Sequence, residues 1–271
     1  MTIYEEVTAY YNAFLGEKIS IGKSGFGHTM YAMKVGNGRP CGIVQCSIHG
    51  REWITAKLCF SFIERGIALG SCWFLPLTNP DGALLSQMGL ASVKNEKDRI
   101  RLQSLQGNAD FSLWKANGRG VDLNVNFPAK WGEGVKNTRT PGSENYVGKA
   151  PLSEKESQAL ARFTKWILPD YTVSYHTKGE EIYWKFGNST HTCPLSKRLA
   201  EVLSQTTGYP LCEAEGSVGG YKDWCLERLH IPSFTIEVGK DEWQHPLGEE
   251  VLPELIEKNQ EAIYRLSEEW K

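Results

Sequence analysis

Short apolar runs separated by helix-length segments constrain this chain more than any other feature. Gly42-Ile-Val-Gln-Cys46, Ser71-Cys-Trp-Phe-Leu-Pro-Leu77, Tyr171-Thr-Val-Ser-Tyr175 and Ser233-Phe-Thr-Ile-Glu-Val238 each have the content of a buried strand. Between them, residues 52–66, 153–167 and 195–205 are patterned as helices, and 252–270 closes the chain with another. Ser153 with Glu156 reads as a capping box for the second of these. Ahead of the first run, residues 7–15 read as a helix, and 19–21 and 29–35 as strands broken by Gly25 and Gly27. Thr78-Asn-Pro-Asp-Gly82 reads as a turn, 94–99 as a solvated face and 132–151 as a loop. Strands that alternate with helices pair mainly in parallel. The expected fold is therefore α/β: a single domain over residues 1–271, with a mixed, mainly parallel sheet flanked by helices.

Charge balance narrows the class of partner. Lys plus Arg number 30 against 32 Asp plus Glu, a net charge of −2, so no basic surface for nucleic acid or anionic lipid is implied. A content of 41% hydrophobic and 23% charged residues is that of a soluble globular chain. Met1-Thr-Ile-Tyr-Glu-Glu has neither the basic start nor the apolar core of a secretory signal, and no apolar run approaches a membrane span. Seven cysteines, an odd number with no C-x-x-C pair, suit reduced buried thiols and a cytoplasmic location.

Chemistry-bearing residues gather where strands end. His49 and Glu52 sit on the turn between the strand at 42–46 and the helix that follows. At that spacing an imidazole and a carboxylate can converge on one ion; catalytic zinc takes such donors, three from the protein. The same spacing suits a His49 that caps a helix and a Glu52 on its solvated first turn, so the pair acquires meaning only with a third ligand and a base. Neither H-E-x-x-H nor H-x-x-E-H is present, because Trp53 follows Glu52. His176, ending the strand at 171–175, suits the third position, since α/β sites gather at the carboxyl edge of the sheet. Glu237 interrupts an apolar strand, where a carboxylate is costly unless paired or close to a cation. A base beside a metal centre accounts for it; so does an ion pair with a nearby Arg or Lys. His28, His191, His230 and His245 lie in loops or beside prolines and glycines, and read as surface or structural residues.

Six ordered segments resemble the zinc carboxypeptidases of the M14 metallopeptidase type: His49-Gly-Arg-Glu52-Trp-Ile-Thr55, Pro76-Leu-Thr-Asn-Pro-Asp-Gly82, Gly120-Val-Asp-Leu-Asn124, Ser174-Tyr-His176, Gly219-Gly-Tyr-Lys-Asp223-Trp224 and Phe234-Thr-Ile-Glu237. Through Trp114-Lys-Ala-Asn117, Asn126-Phe-Pro-Ala129-Lys-Trp131 and His176-Thr-Lys-Gly-Glu-Glu-Ile-Tyr-Trp184, the chain is most similar within that family to bacterial γ-D-glutamyl-meso-diaminopimelate peptidases. Those enzymes cut murein stem peptides between D-glutamate and diaminopimelate. The resemblance implies one Zn2+ per chain, held by His49, Glu52 and His176. Glu237 would be the general base that takes a proton from the attacking water and passes it to the leaving amine. Arg51 would hold a substrate carbonyl or carboxylate and Asn124 a terminal carboxylate. Arg119 would stabilise the oxyanion, with Lys115 the competing choice.

Three positions depart from the common pattern or refine it. Typical carboxypeptidases follow the asparagine with an arginine that grips the C-terminal carboxylate in a bidentate fork. Here the next residue is Val125, which weakens a general exopeptidase reading. The family's mobile tyrosine falls at Glu215, so no tyrosine role is assigned. Lys222 stands where the family has the floor of its side-chain pocket; a lysine there implies a carboxylate at the far end of the substrate, unless it snorkels to solvent. The expected activity is zinc-dependent hydrolysis of an amide in a murein-derived peptide. The rivals are a small acyl-amino-acid amidohydrolase and a non-catalytic binder of wall fragments.

Overall fold

Cys41–Cys46 is a strand buried on both faces, apolar except for Gln45, whose Oε1 accepts from Thr78 Oγ1 at 3.0 Å. The computed structural model describes residues 1–107, 110–187, 194–213 and 216–270. Its strands are β1 (Lys18–Lys23), β2 (Thr29–Gly36), β3 (Cys41–Cys46), β4 (Ser71–Leu75), β5 (Tyr171–His176), β6 (Glu181–Tyr183), β7 (Leu211–Cys212) and β8 (Ser233–Glu237). They form one sheet in the order β1-β2-β4-β3-β5-β8-β6-β7. The centre, β4-β3-β5-β8, is parallel throughout, while β1, β2 and β6 join antiparallel at the flanks. A mixed, mainly parallel α/β sheet is thus what the chain builds.

Helices cover both faces. They are α1 (Ile3–Ala13), α2 (Ile54–Arg65), α3 (Pro80–Met88), α4 (Glu96–Gln106), α5 (Lys155–Ile167), α6 (Pro194–Thr207), α7 (Tyr221–Trp224), α8 (Leu252–Asn259) and α9 (Ala262–Glu268). Alternation along β3 sorts its side chains between two cores. Val44 packs with Phe62 of α2, Leu203 of α6 and Ile263 of α9, while Ile43 packs with Leu160 and Phe163 of α5. Each such side chain, fully buried, contributes about 1.5–3 kcal/mol, so the central strands are the best-anchored part of the molecule.

Several local expectations give way to tertiary context. The segment 78–82 is not a free turn: Asn79 caps α3, its Oδ1 accepting from Gly82 N at 2.9 Å, with Pro80 in the first helical turn. Residues 94–99 are the solvated face expected, nearly all exposed, and Asn95 caps the start of α4. The capping box at Ser153 does not form. Ser153 Oγ donates to Glu154 Oε1, and Glu154 stands at the N-cap without a side-chain cap bond. The closing segment breaks into α8 and α9 rather than running as one helix. His28 is structural as read, paired from within the β1–β2 connection with Asp81 at 2.7 Å. His230 occupies the left-handed position that ends the turn 225–229, also a structural role. His191 and Glu215 lie outside the described residues. Six of the seven cysteines are free thiols, and Cys193 lies outside the described residues. Among the described residues no helix is long and apolar enough to cross a membrane.

Candidate metal centre

The turn after β3 is built so that His49 and Glu52 point to one place. Ser47 adopts a left-handed backbone (φ 52°), an unfavourable conformation for a residue with a Cβ, and the surrounding bonds hold it there. Its N–H donates to Thr55 Oγ1 at 2.9 Å, and Thr55 Oγ1 donates to the Glu52 carbonyl at 2.8 Å. Gly50 is the tightest point: a Cβ there would lie 2.4 Å from the Gly82 carbonyl oxygen and 2.7 Å from that of Trp114. Its N–H donates to the Lys115 carbonyl at 2.9 Å. The glycine of the motif therefore draws the segment carrying Lys115 against the histidine turn.

Three buried donors converge. His49 Nδ1 lies 2.8 Å from Glu52 Oε1, and His176 Nδ1 lies 3.0 Å from Glu52 Oε2 and 3.1 Å from His49 Nδ1. His49, Glu52 and His176 form the group able to hold a metal ion among the described residues, and all three are buried. Ligands about 2.0–2.1 Å from a tetrahedral zinc stand roughly 3.3 Å apart, so these separations need only a small expansion to admit the ion. Two imidazole nitrogens and a carboxylate are also the donor types that zinc prefers. The residues fit the group.

Around the donors, charge is arranged in a chain. Asp122 Oδ1 lies 3.3 Å from His49 Nε2, although poorly aligned for a hydrogen bond, and Asp122 Oδ2 lies 3.1 Å from Lys115 Nζ. Burial works against both ions of that second pair, yet the attraction prevails. Asp122 is held well below the usual carboxylate range by Lys115 and His49, and Lys115 is held above its usual value by Asp122 and Glu52. Glu52 is likewise kept ionised, the two histidines outweighing its desolvation. Glu237 ends β8 in register with His176. Burial pushes its carboxyl up to about 7, with Glu52 adding to the shift and His176 opposing it.

The match to a family model decides the relationship: residues 4–262 fit the zinc carboxypeptidase model. The chain belongs to the zinc carboxypeptidase family. It is 34% identical over 249 residues to γ-D-glutamyl-L-diamino acid endopeptidase 1 of Lysinibacillus sphaericus, an alignment covering 84% of this chain and 62% of that relative. In fold it is similar to bovine thrombin-activatable fibrinolysis inhibitor, solved with tick carboxypeptidase inhibitor (TM-score 0.77, 22% identity, 99% of this chain and 96% of that one). It is also similar in fold to murein-tripeptide amidase MpaA of Escherichia coli O157 (TM-score 0.61, 24% identity, 96% and 95%).

Within this member of the zinc carboxypeptidase family the other residues singled out in the sequence divide. Arg51 is partly buried, Nη1 3.6 Å from Glu144 Oε2, with its Nε buried and without a hydrogen-bond partner. Asn124 lines two adjoining cavities, one of about 250 Å³ and one of about 600 Å³; its Oδ1 accepts from Tyr221 N at 3.1 Å. Glu237 and Lys222 line the smaller cavity, and His49, Lys115 and Val125 the larger. Lys222 does not snorkel to solvent: it is only 6% exposed. Arg119 is a correction. It is half exposed, 3.6 Å from Glu154, in a separate recess with Phe26 and Arg101, because the chain turns at Gly118–Gly120 and carries it away from the metal donors. Lys115, the competing choice, is the cation at the centre. Asp122 had no sequence-local signal beyond its place in Gly120-Val-Asp-Leu-Asn124, two residues before Asn124. His245, read as a loop residue, packs beside the residue after His176, its Nδ1 3.4 Å from Thr177 Oγ1. Burial lowers its pKa to about 4, and Arg51 and Lys178 act in the same direction.

Proposed function

We propose that this chain carries the zinc peptidase activity that hydrolyses the amide between a γ-linked D-glutamyl residue and a diamino acid in murein-derived peptides. The observation that carries the reading is the convergence of His49, Glu52 and His176 beside the Glu237 carboxyl, next to a cavity that ends in Lys222. Similarity to an L-diamino acid endopeptidase supports the substrate class. The chain spans 62% of that relative's length, so the assignment is a reading of this segment.

When bound, zinc supplies a Lewis acid that polarises the scissile carbonyl and lowers the pKa of water. The remaining work falls to side chains. Glu237, with its carboxyl near neutrality, accepts a proton from the attacking water and returns it to the amine as the C–N bond breaks. Lys115, kept charged by Asp122, is placed to stabilise the negative charge that develops on the carbonyl oxygen. Arg51, with an unpartnered Nε, takes a carbonyl or carboxylate of the acyl part. Val125 offers no carboxylate clamp and lines the roomier cavity, which suits a peptide that continues beyond the scissile bond. Incubation with an L-alanyl-γ-D-glutamyl-meso-diaminopimelate peptide and, separately, with N-acyl amino acids tests the reading by product mass. Release of diaminopimelate-containing product is expected. Turnover of the acyl amino acids alone would assign a small-molecule amidohydrolase, and no turnover of either a non-catalytic binder.

A further inference from the structure

A second recess, about 320 Å³ in volume, lies apart from the metal donors and is rich in cations. Arg101, Arg119 and Lys149 line it with the carboxylates of Asp98 and Glu154, three positive groups against two negative. Phe26 and Tyr146 add aromatic wall. Stretches distant in sequence meet here, and hydrogen bonds fix them in place. Phe26 N donates to the buried Asp81 Oδ2 at 2.8 Å, and Gly142 N to the Gly120 carbonyl at 3.1 Å. Arg101 Nη2 donates to the Gly118 carbonyl at 3.0 Å, and the Tyr146 carbonyl accepts from Asp122 N at 2.9 Å. The fold itself therefore holds the recess in shape, which lowers the ordering cost of binding there.

Hydrogen-bonding capacity around this space is lopsided. Both carboxylates are engaged: Asp98 Oδ1 accepts from Arg101 at 2.8 Å, and Glu154 accepts from Asn117 Nδ2 and Ser153 Oγ, each at 2.9 Å. The cations are not. A guanidinium has five N–H donors and an ammonium three. Arg101 bonds through Nη2 alone. Among the described residues the Arg119 side chain makes no hydrogen bond, its Nε standing 3.6 Å from Glu154 Oε2. Lys149 has neither a hydrogen bond nor an ion pair among those residues. Like charges around a cleft with low-dielectric walls repel one another and focus their field into it. Two planar forks and an ammonium match the oxygens of a phosphate or a carboxylate.

We propose that this recess binds a small organic oxyanion, a phosphate monoester or a carboxylate, whose apolar body lies against Phe26 and Tyr146. The inference goes beyond the peptidase reading and is independent of it, because no residue lining the recess lines either cavity at the metal centre.

Calorimetric titration of the zinc-loaded full chain with phenyl phosphate, benzoate, inorganic phosphate and phenol tests this. Phenyl phosphate or benzoate should bind, and the tighter of the two names the oxyanion. Inorganic phosphate, without a ring, and phenol, without the charge, should both bind more weakly. A hydrogen bond to a charged group is worth about tenfold or more. Arg119→Met and Lys149→Met should therefore each weaken the tighter probe by at least ~10-fold, and Arg119→Lys should weaken it less than Arg119→Met. Neither residue supports the core, so loss of binding in both cannot come from misfolding. A separate event at the zinc is recognised by its loss in Lys115→Met, where the recess affinity should stay within about twofold. Binding that Lys115→Met removes and the two recess variants leave unmoved places the anion at the metal centre and overturns the proposal. Phenol binding as tightly as phenyl phosphate does the same. So does the absence of any binding tighter than about 10 mM.

Discussion

Glu237 and His176 are register partners, the last residues of two adjacent parallel strands. Strands in a sheet lie about 4.8 Å apart, so the ladder itself sets how far the Glu237 carboxyl stands from His176. His49 and Glu52 follow the strand on the other side of His176. Three neighbouring strand ends thus carry His49, Glu52, His176 and Glu237.

Metal content reports on the donors directly. Wild-type protein should bind one zinc per chain, and His176→Ala should lose most of it, since two ligands hold the ion far less well than three. Asp122→Ala should weaken affinity about 10–100-fold without removing a ligand, because it frees the His49 ring and unpairs Lys115. Metal analysis after dialysis against a graded chelator separates the three proteins. Full occupancy in His176→Ala would remove that residue from the site.

Glu237→Gln keeps shape but cannot accept a proton. Turnover should fall by at least ~10²-fold with zinc content unchanged. A variant that keeps its activity would place the base elsewhere.

Lys115 and Arg119 can be told apart by kinetics. Loss of an electrostatic stabiliser costs about 10²–10³ in kcat, so Lys115→Met should show a fall of that order with a smaller change in KM. Arg119→Met, in its separate recess, should change kcat by less than about twofold. The opposite pattern would return the role to Arg119.

Glu156 links stability to pH. Burial pushes its carboxyl up to about 7, with Asp81 and Glu154 adding repulsion. A folded-state pKa above the unfolded one stabilises the protein most below the unfolded value, and that contribution is lost as pH rises through the folded one. Stability should therefore decline between about pH 4.5 and 7, by on the order of 3 kcal/mol. Glu156→Gln should flatten the decline, so its stability relative to wild type improves from pH 5 to pH 7.5. Denaturant unfolding at the two values measures this, and an equal difference at both would sink it.

Much of the fold and of the donor set was legible in the chain itself. Mostly apolar runs at 42–46, 171–175 and 233–238 determined the central strands, because a strand buried on both faces must be largely apolar. His49, Glu52 and His176 stood at or beyond the ends of those runs, and Glu237 inside the last of them, where a carboxylate without a partner is costly. The sequence could not say that β5 lies between β3 and β8, which is what brings those four residues together; strand order depends on which faces pack, not on local pattern. Nor could it show that Gly50 admits the Lys115 segment while the chain carries Arg119 away, or that Asp122 stands behind His49. Lys222 in one dimension is a lone cation. Only the tertiary structure pairs it with Asp223, Nζ to Oδ1 2.6 Å, since consecutive residues of a helix normally diverge.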